Sequence, residues 1–398
     1  MMLCNEALCT GCEACRNACD QGALRMEESA EGFLRPVVDA KRCTDCGACA
    51  TACPVLNKPA LERMPSPGAY ACWHADDQVR RRSSSGGAFS ALAEAVLDAG
   101  GGVWGAAYDA RLHVRHVEVR EREGLDRLRR SKYVQSRIGD AFREVRGFLR
   151  TGGTALFVGA PCQVAGLHAF LGRDDERLVT CDFLCHGVPS PGVLARYVRW
   201  LEARSGAPLT DLNFRDKRKG WEDPSSVAEL EGGRERVLYG KENHFFNGFI
   251  ENVFLRESCY ACAFNGLPRW GDLTLGDFWG IGNHFPFPHA SQKAEGISLV
   301  LVNSARGQAR LDRCADRLTR VERPLQEVVE GNAPLHTPSR RPASRDAFFL
   351  DLDAVPHDAL IRRYLTPPLR RRIRIWAREH FGGTTLRLLR SAYGKMRR

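Results

Sequence analysis

Within its first 55 residues the chain twice repeats the pattern C-x2-C-x2-C-x3-C. The first run is Cys9, Cys12, Cys15 and Cys19; the second is Cys43, Cys46, Cys49 and Cys53, followed by Pro54. Eight thiols at this regular spacing constrain the segment more than any other feature, because they call for metal. Zinc is one reading, since C-x2-C pairs also build zinc sites. Zinc needs four ligands per site, however, and has no use for a third Cys at regular spacing plus a fourth after x3. Seeing the full run twice favours two [4Fe-4S] clusters. Gly11, Ala14 and Ala18, with Gly47, Ala48 and Ala52, let the backbone curl round a cluster and aim amides at its sulfurs.

The spacing resembles that of a bacterial-type ferredoxin, in which the fourth Cys of each run crosses to the other cluster. That likeness implies Cys9, Cys12, Cys15 and Cys53 for one cluster, and Cys43, Cys46, Cys49 and Cys19 for the other. The first run departs from the pattern by carrying Asp20 where the second has proline.

With 398 residues the chain has room for two or three domains with proper cores. Sixteen cysteines in a chain this long do not fit a small disulfide scaffold. Met1-Met2-Leu3-Cys4-Asn5-Glu6 lacks the charged start and apolar core of a signal peptide. No apolar run approaches the roughly 20 residues of a membrane span. The expectation is a cytoplasmic protein. Its net charge of +10 is concentrated at one end: Arg370 to Arg398 holds ten Lys/Arg against a single acid, Glu379, so the rest nets only +1.

The expected organisation is a two-cluster module over 1–58 and a Pro-punctuated linker over 59–69. A larger domain covers 70–350, and a basic tail 351–398. Met26 to Arg42 joins the two cysteine runs, and within it Gly32 to Val38 reads as a short hairpin region. Beyond the linker, strands alternate with helices, which predicts an α/β domain. A helix is expected over 88–97, opened by Ser83-Ser84-Ser85-Gly86-Gly87, and another over 164–171. Strands are expected over 103–108, 154–158, 178–184, 273–275 and 297–302. The unusual residues fall in loops at the ends of these strands, where α/β sheets bind ligands.

Ser83–Gly87 is a helix start that either holds a phosphate or serves as an ordinary N-cap. Cys259 and Cys262 form a lone C-x2-C. With Cys162 and Cys185 they offer four thiols, for a third cluster, a zinc knuckle, a redox dithiol or buried free cysteines. Cys4, Cys72, Cys181 and Cys314 show no partners in the sequence and read as buried apolar cysteines, with Cys181 the reserve ligand. His186 is a candidate proton donor. Lys132, Tyr133, Arg215, Lys217 and Trp221 are candidates for anion or ring contacts. The stretch 369–378, in which Arg370, Arg371, Arg372, Arg374 and Arg378 alternate with Ile373, Ile375 and Trp376, fits a membrane-surface helix, docking to an acidic protein, nonspecific nucleic-acid binding, or a solvated tail.

Seven motifs then occur in order: Ser84-Ser85-Gly86-Gly87, Ser131-Lys132-Tyr133-Val134-Gln135-Ser136, Gly159-Ala160-Pro161-Cys162-Gln163, Cys185-His186-Gly187-Val188-Pro189-Ser190-Pro191, Phe214-Arg215-Asp216-Lys217, Cys259-Tyr260-Ala261-Cys262 and Gly276-Asp277-Phe278-Trp279-Gly280. In these the chain resembles the β-subunit family of coenzyme F-420 (deazaflavin) hydrogenase and dehydrogenase over about residues 70–350, with a ferredoxin module fused in front. The resemblance implies FAD and a [4Fe-4S] cluster in the larger domain. It implies FAD contacts at Ser84, Ser85, Gly86, Gly87, Ser131, Tyr133, Gln135, Ser136, Ala160 and Pro161. Cluster ligands are implied at Cys162, Cys185, Cys259 and Cys262. Ala160 stands where relatives often carry Thr.

The resulting expectation is an iron–sulfur flavoprotein oxidoreductase: an α+β ferredoxin-like module followed by a mixed α/β domain binding FAD and a cluster. It would hold three [4Fe-4S] clusters and one FAD, and pass electrons to or from a two-electron substrate. That substrate is a deazaflavin or a biosynthetic intermediate, such as one of polysaccharide synthesis. Lys132 and His186 are the expected catalytic residues. Expected partners are a redox protein or ferredoxin and a small-molecule substrate, together with the membrane face through the tail and a second copy of the chain. An electron-transfer subunit without its own substrate is the alternative. A nucleic-acid binder is disfavoured, because the basic charge forms no stripe across the domain.

Overall fold

The computed structural model describes residues 3–366 and 373. The basic stretch from Arg370 therefore lies outside the described residues, apart from Ile373, and so does the reading of it as a tether.

The two cysteine runs flank a hairpin of β1 (Leu24–Glu28) and β2 (Leu34–Val38), paired antiparallel with Leu24 opposite Val38. The hairpin is longer than the expected region 32–38, which supplies only the end of the turn and the second strand; the first strand begins at Leu24. Each run bends the same way. Gly11 and Glu13 in the first, and Asp45 and Gly47 at the equivalent positions of the second, all take left-handed backbone, with φ of 65°, 61°, 53° and 75°. The internal duplication is thus one of conformation as well as of cysteine spacing.

The larger body holds an eight-stranded mixed sheet. Its strands are β3 (Gly68–His74), β4 (Gly102–Tyr108), β5 (Val114–Val119), β6 (Ala155–Val158), β7 (Leu178–Phe183), β11 (Leu273–Asp277), β12 (Ser298–Val302) and β13 (Leu318–Glu322), in the spatial order β13-β3-β12-β11-β7-β6-β4-β5. β4, β6, β7 and β11 run parallel, and the flanking strands pair antiparallel. β6 and β12 are almost wholly apolar because both faces are covered, while β7 and β11 also bury Thr180, Asp182 and Thr274. On one face the helix Ala88–Asp98 packs its Leu92 and Val96 among Leu156, Val179 and Val300. On the other face the helices Ala141–Arg150 and Pro161–Leu171 enclose Phe142, Phe157 and Leu167. The second helix starts at Pro161 rather than Val164, since proline suits the first helical position. A three-stranded antiparallel sheet, β8 (Leu209–Asp216), β9 (Ser225–Leu230) and β10 (Arg234–Leu238), sits over a second core with Tyr197, Phe245 and Phe254.

The cysteine module is bound into the body by buried polar contacts. Cys12 and Ala14 belong to the same apolar cluster as Phe142 and Phe157. The Glu13 carboxylate accepts the backbone N–H of Ile138 (2.8 Å) and Gly139 (3.2 Å). Arg143 donates to the carbonyls of Asn17 and Cys19, both at 2.8 Å. Arg345 pairs with Glu31 at 2.7 Å. Gly32 meets Gly192 so closely that a Cβ on Gly32 would come within 2.6 Å of the Gly192 Cα.

Candidate functional site

All sixteen cysteines are free of disulfides, and the structure gathers eleven of the expected ligands into three groups. Cys9, Cys12, Cys15 and Cys53 line one small cavity with Thr10, Gly11, Met26 and Pro36. Cys19 neighbours Cys46 and Cys49, the exchange between halves that the ferredoxin likeness implies. Cys49 also borders the first cavity, and Cys46 is exposed. Cys162, Cys185, Cys259 and Cys262 are mutual neighbours, and Cys12 lies beside Cys162. Burial first, and then repulsion among these thiols, pushes Cys162 and Cys185 well above the usual thiol range and Cys259 up to about 11. Four half-buried thiols brought this close together are a donor set that a cationic iron centre satisfies.

One of the four cysteines read as buried and apolar sits elsewhere than expected, and Cys181 does not. Cys4 is no isolated apolar residue: it lines the first cavity, and its thiol lies within hydrogen-bonding reach of the Cys53 and Cys9 thiols. Cys181, the reserve ligand, is fully buried in the sheet core with Val179 and Leu273, and its thiol meets the Asp182 carbonyl.

Parallel strands end at a common edge. The turn after β6 carries Gly159 and Ala160 and leads into Cys162 in the first turn of the helix Pro161–Leu171, the turn after β7 carries Cys185, His186 and Gly187, and β11 ends at Asp277. These turns border a cavity of about 660 Å³, which also reaches Ser84, Ser85, Gly87, Ser131, Lys132, Tyr133 and Ser136. It lies on the side predicted from strand polarity. Its walls are mainly apolar and aromatic: Tyr133 packs on Phe249 with ring centroids 4.8 Å apart, and Phe249 meets His186 at 5.0 Å.

The segments round the cavity are tied together locally. Lys217 Nζ donates to the carbonyls of Arg80 (2.6 Å), Ser85 (2.9 Å) and Glu295 (2.7 Å), pinning the serine–glycine turn. Ser84 Oγ accepts the Ser131 N–H at 2.9 Å. Gly87 is the N-cap of the helix Ala88–Asp98 at φ 93°, with no side-chain cap, so the helix amides open towards the cavity. Gln163 accepts the Ala160 N–H (3.0 Å) and donates to the Ser136 carbonyl (3.1 Å), fixing the turn after β6 against the 131–136 segment.

Three of the expected FAD contacts are not among the cavity's lining residues. Gly86 is wedged against the Cys72 carbonyl and lies where a Cβ would be 2.6 Å from Ser298 N. Pro161 begins a buried helix. Gln135 turns to the cysteine module and donates to the carbonyls of Thr10 (3.0 Å) and Gly11 (3.2 Å).

Lys132 and His186 both border the cavity. Lys132 Nζ is spent on the carbonyls of Arg127 (2.9 Å) and Arg129 (2.6 Å), and burial brings its ammonium down to about 7. His186 Nε2 pairs with Asn252 Oδ1 at 2.6 Å, and burial lowers its imidazole. Sequence reasoning passed over His116. Its ring stacks on Phe157 at 5.0 Å and pairs with Ser136 Oγ, and burial holds it down to about 4. Arg215 is buried against Asp277 (3.1 Å) and the Trp279 ring (5.1 Å), with Nε lacking a partner. Trp279 in turn stacks on Trp221 at 4.8 Å and 3°.

Among the described residues no helix is long and apolar enough to cross a membrane. Residues 153–327 match the family described as the C terminus of the coenzyme F420 hydrogenase/dehydrogenase beta subunit, and residues 8–57 match the 4Fe-4S dicluster domain. A chain of the F420-reducing [NiFe] hydrogenase complex from Methanosarcina barkeri, in a xenon-derivatized structure, is similar at 16% identity and a TM-score of 0.46, over 70% of this chain and 86% of that one. No curated protein matches the chain.

Proposed function

Because the chain belongs to the coenzyme F420 hydrogenase/dehydrogenase beta-subunit family and carries a 4Fe-4S dicluster domain at its front, we propose that it is an iron–sulfur flavoprotein oxidoreductase with a two-electron small-molecule substrate. Cys9, Cys12, Cys15 and Cys53 would hold one [4Fe-4S] cluster, Cys19, Cys43, Cys46 and Cys49 a second, and Cys162, Cys185, Cys259 and Cys262 a third. FAD would occupy the cavity, where it would supply the exchange between one-electron and two-electron chemistry.

The observation that carries this reading is a continuous succession of sites. Exposed Cys46 marks a side open to a redox partner. Cys12 lies beside Cys162. Cys185 belongs both to the third thiol group and to the cavity wall. The cavity's size lies within the range of cofactor sites, and it combines apolar walls with few polar groups. The N-terminal end of the helix at Gly87 and the unpartnered Nε of Arg215 suit an anionic group. His186 and His116 are the neutral imidazoles at hand for a proton near the reacting ring. Lys132 acts by holding the 127–130 turn.

The test is to purify the protein anaerobically and measure iron, sulfide and flavin. About twelve irons and about one FAD per chain support the reading. About eight irons, with no flavin even after reconstitution, would remove the flavoenzyme and leave an electron-transfer subunit.

A further inference from the structure

Arg256 is 1% exposed, yet among the described residues no carboxylate pairs with it. Its Nε donates to the Cys9 carbonyl (2.6 Å), Nη1 to Gln135 Oε1 (2.9 Å), and Nη2 to the Leu34 carbonyl (3.0 Å) and to Cys9 Sγ (3.7 Å). The guanidinium lies 5.3 Å from the Phe33 ring centroid. Its own carbonyl accepts the Cys259 N–H at 2.9 Å. One residue thus spans from a sulfur of the module to the backbone of the third thiol group, and its charge is felt at both Cys9 and Cys259.

A buried cation hydrogen-bonded mainly to neutral groups is costly unless negative charge stands nearby. Thiolates round a cluster supply that charge, and each electron added to the cluster increases it. A guanidinium donating to a ligand sulfur therefore stabilises the reduced form more than the oxidised one. We propose that Arg256 is a positioning and charge-compensating residue that raises the reduction potential of the centre held by Cys9, Cys12, Cys15 and Cys53. Electrons from the outer group would then collect at this inner centre: the outer loses one electron, the inner gains it, and no proton or bond changes place. This rests on the cluster assignment proposed above.

The test uses the full-length, anaerobically purified protein and its R256M, R256K and Q135M variants. Iron is measured first, and EPR-monitored redox titration follows. R256M is expected to keep its iron while the potential of the inner centre falls and that of the outer stays in place. R256K, which restores the charge, is expected to recover most of the shift. Q135M loosens the same contact and keeps the charge, so its inner potential should stay near wild type. If R256M does not fold, R256Q carries the same expectation. Unmoved potentials, equal shifts at both centres, or a Q135M shift as large as that of R256M would overturn the role of Arg256. Wild-type protein without iron would instead overturn the cluster assignment itself.

Discussion

The Cys12 sulfur rests on Gly166, so close that a Cβ there would stand 3.0 Å from it. Gly166 lies one helical turn beyond Cys162 in the helix Pro161–Leu171. A glycine on this face lets a cysteine of the module approach the thiol group of the body. In G166V the added methyls cannot be accommodated. We expect loss of about four irons, those of the inner centre, while G166A keeps its iron and loses about 1–3 kcal/mol of stability. Iron assay and urea denaturation read the two effects.

The exchange of fourth cysteines between the runs predicts a crossed pattern of damage. C53A should remove the centre shared with Cys9, Cys12 and Cys15, and C19A the one beside Cys46 and Cys49. Each variant should lose about four irons and a different EPR signal. If C53A removed the signal assigned through C46A, the grouping would be wrong.

His116 bears on acid stability. Its folded value of about 4 lies below the ordinary histidine value of 6.5, so the unfolded chain takes up the proton first as pH falls. Stability from this group is present above the ordinary value and declines as pH drops towards the folded one. Between about pH 7 and about pH 5.5 the loss is about 1 kcal/mol. Urea denaturation of H116Q over this window should show a decline shallower by that amount; an unchanged slope would rule out the buried neutral ring.

Gly86 is expected to matter through space. G86A would drive a methyl into the Cys72 carbonyl and towards Ser298 N, both backbone positions of the sheet. Since backbone gives way poorly, we expect a loss of about 3 kcal/mol and weaker flavin retention. Thermal melts and flavin content check this. S85A, which loses the bond from Ser85 Oγ to the Ile297 carbonyl (2.7 Å), should cost only about 1 kcal/mol.

The cluster-binding runs were legible because ligand spacing is local: Cys9 to Cys19 and Cys43 to Cys53 need no knowledge of the rest of the chain. Strands such as β6 and β12 were legible as apolar runs, and the strand-end loops pointed to the cavity. Arg256 and Gln135 were not, because their partners at Cys9, Thr10 and Gly11 lie more than a hundred residues away. Gln135 shows the limit of motif reading. Its neighbour Ser136 borders the cavity beside His116, whereas Gln135 points to the opposite side. Cys4 likewise gave no sign, since nothing in its spacing ties it to Cys53.

The buried contacts between module and body carry a consequence for cooperativity. Arg143, Arg256, Gln135 and the Ile138 amide all find acceptors on residues 9–34, and Cys12 and Ala14 fill the same apolar cluster as Phe157. Removing residues 1–57 would take away these acceptors and open the apolar cluster round Phe142 and Phe157 to water. The front segment is thus no detachable cartridge: module and body should melt in a single transition, and a truncated body should be expressed as a loosened, insoluble fragment.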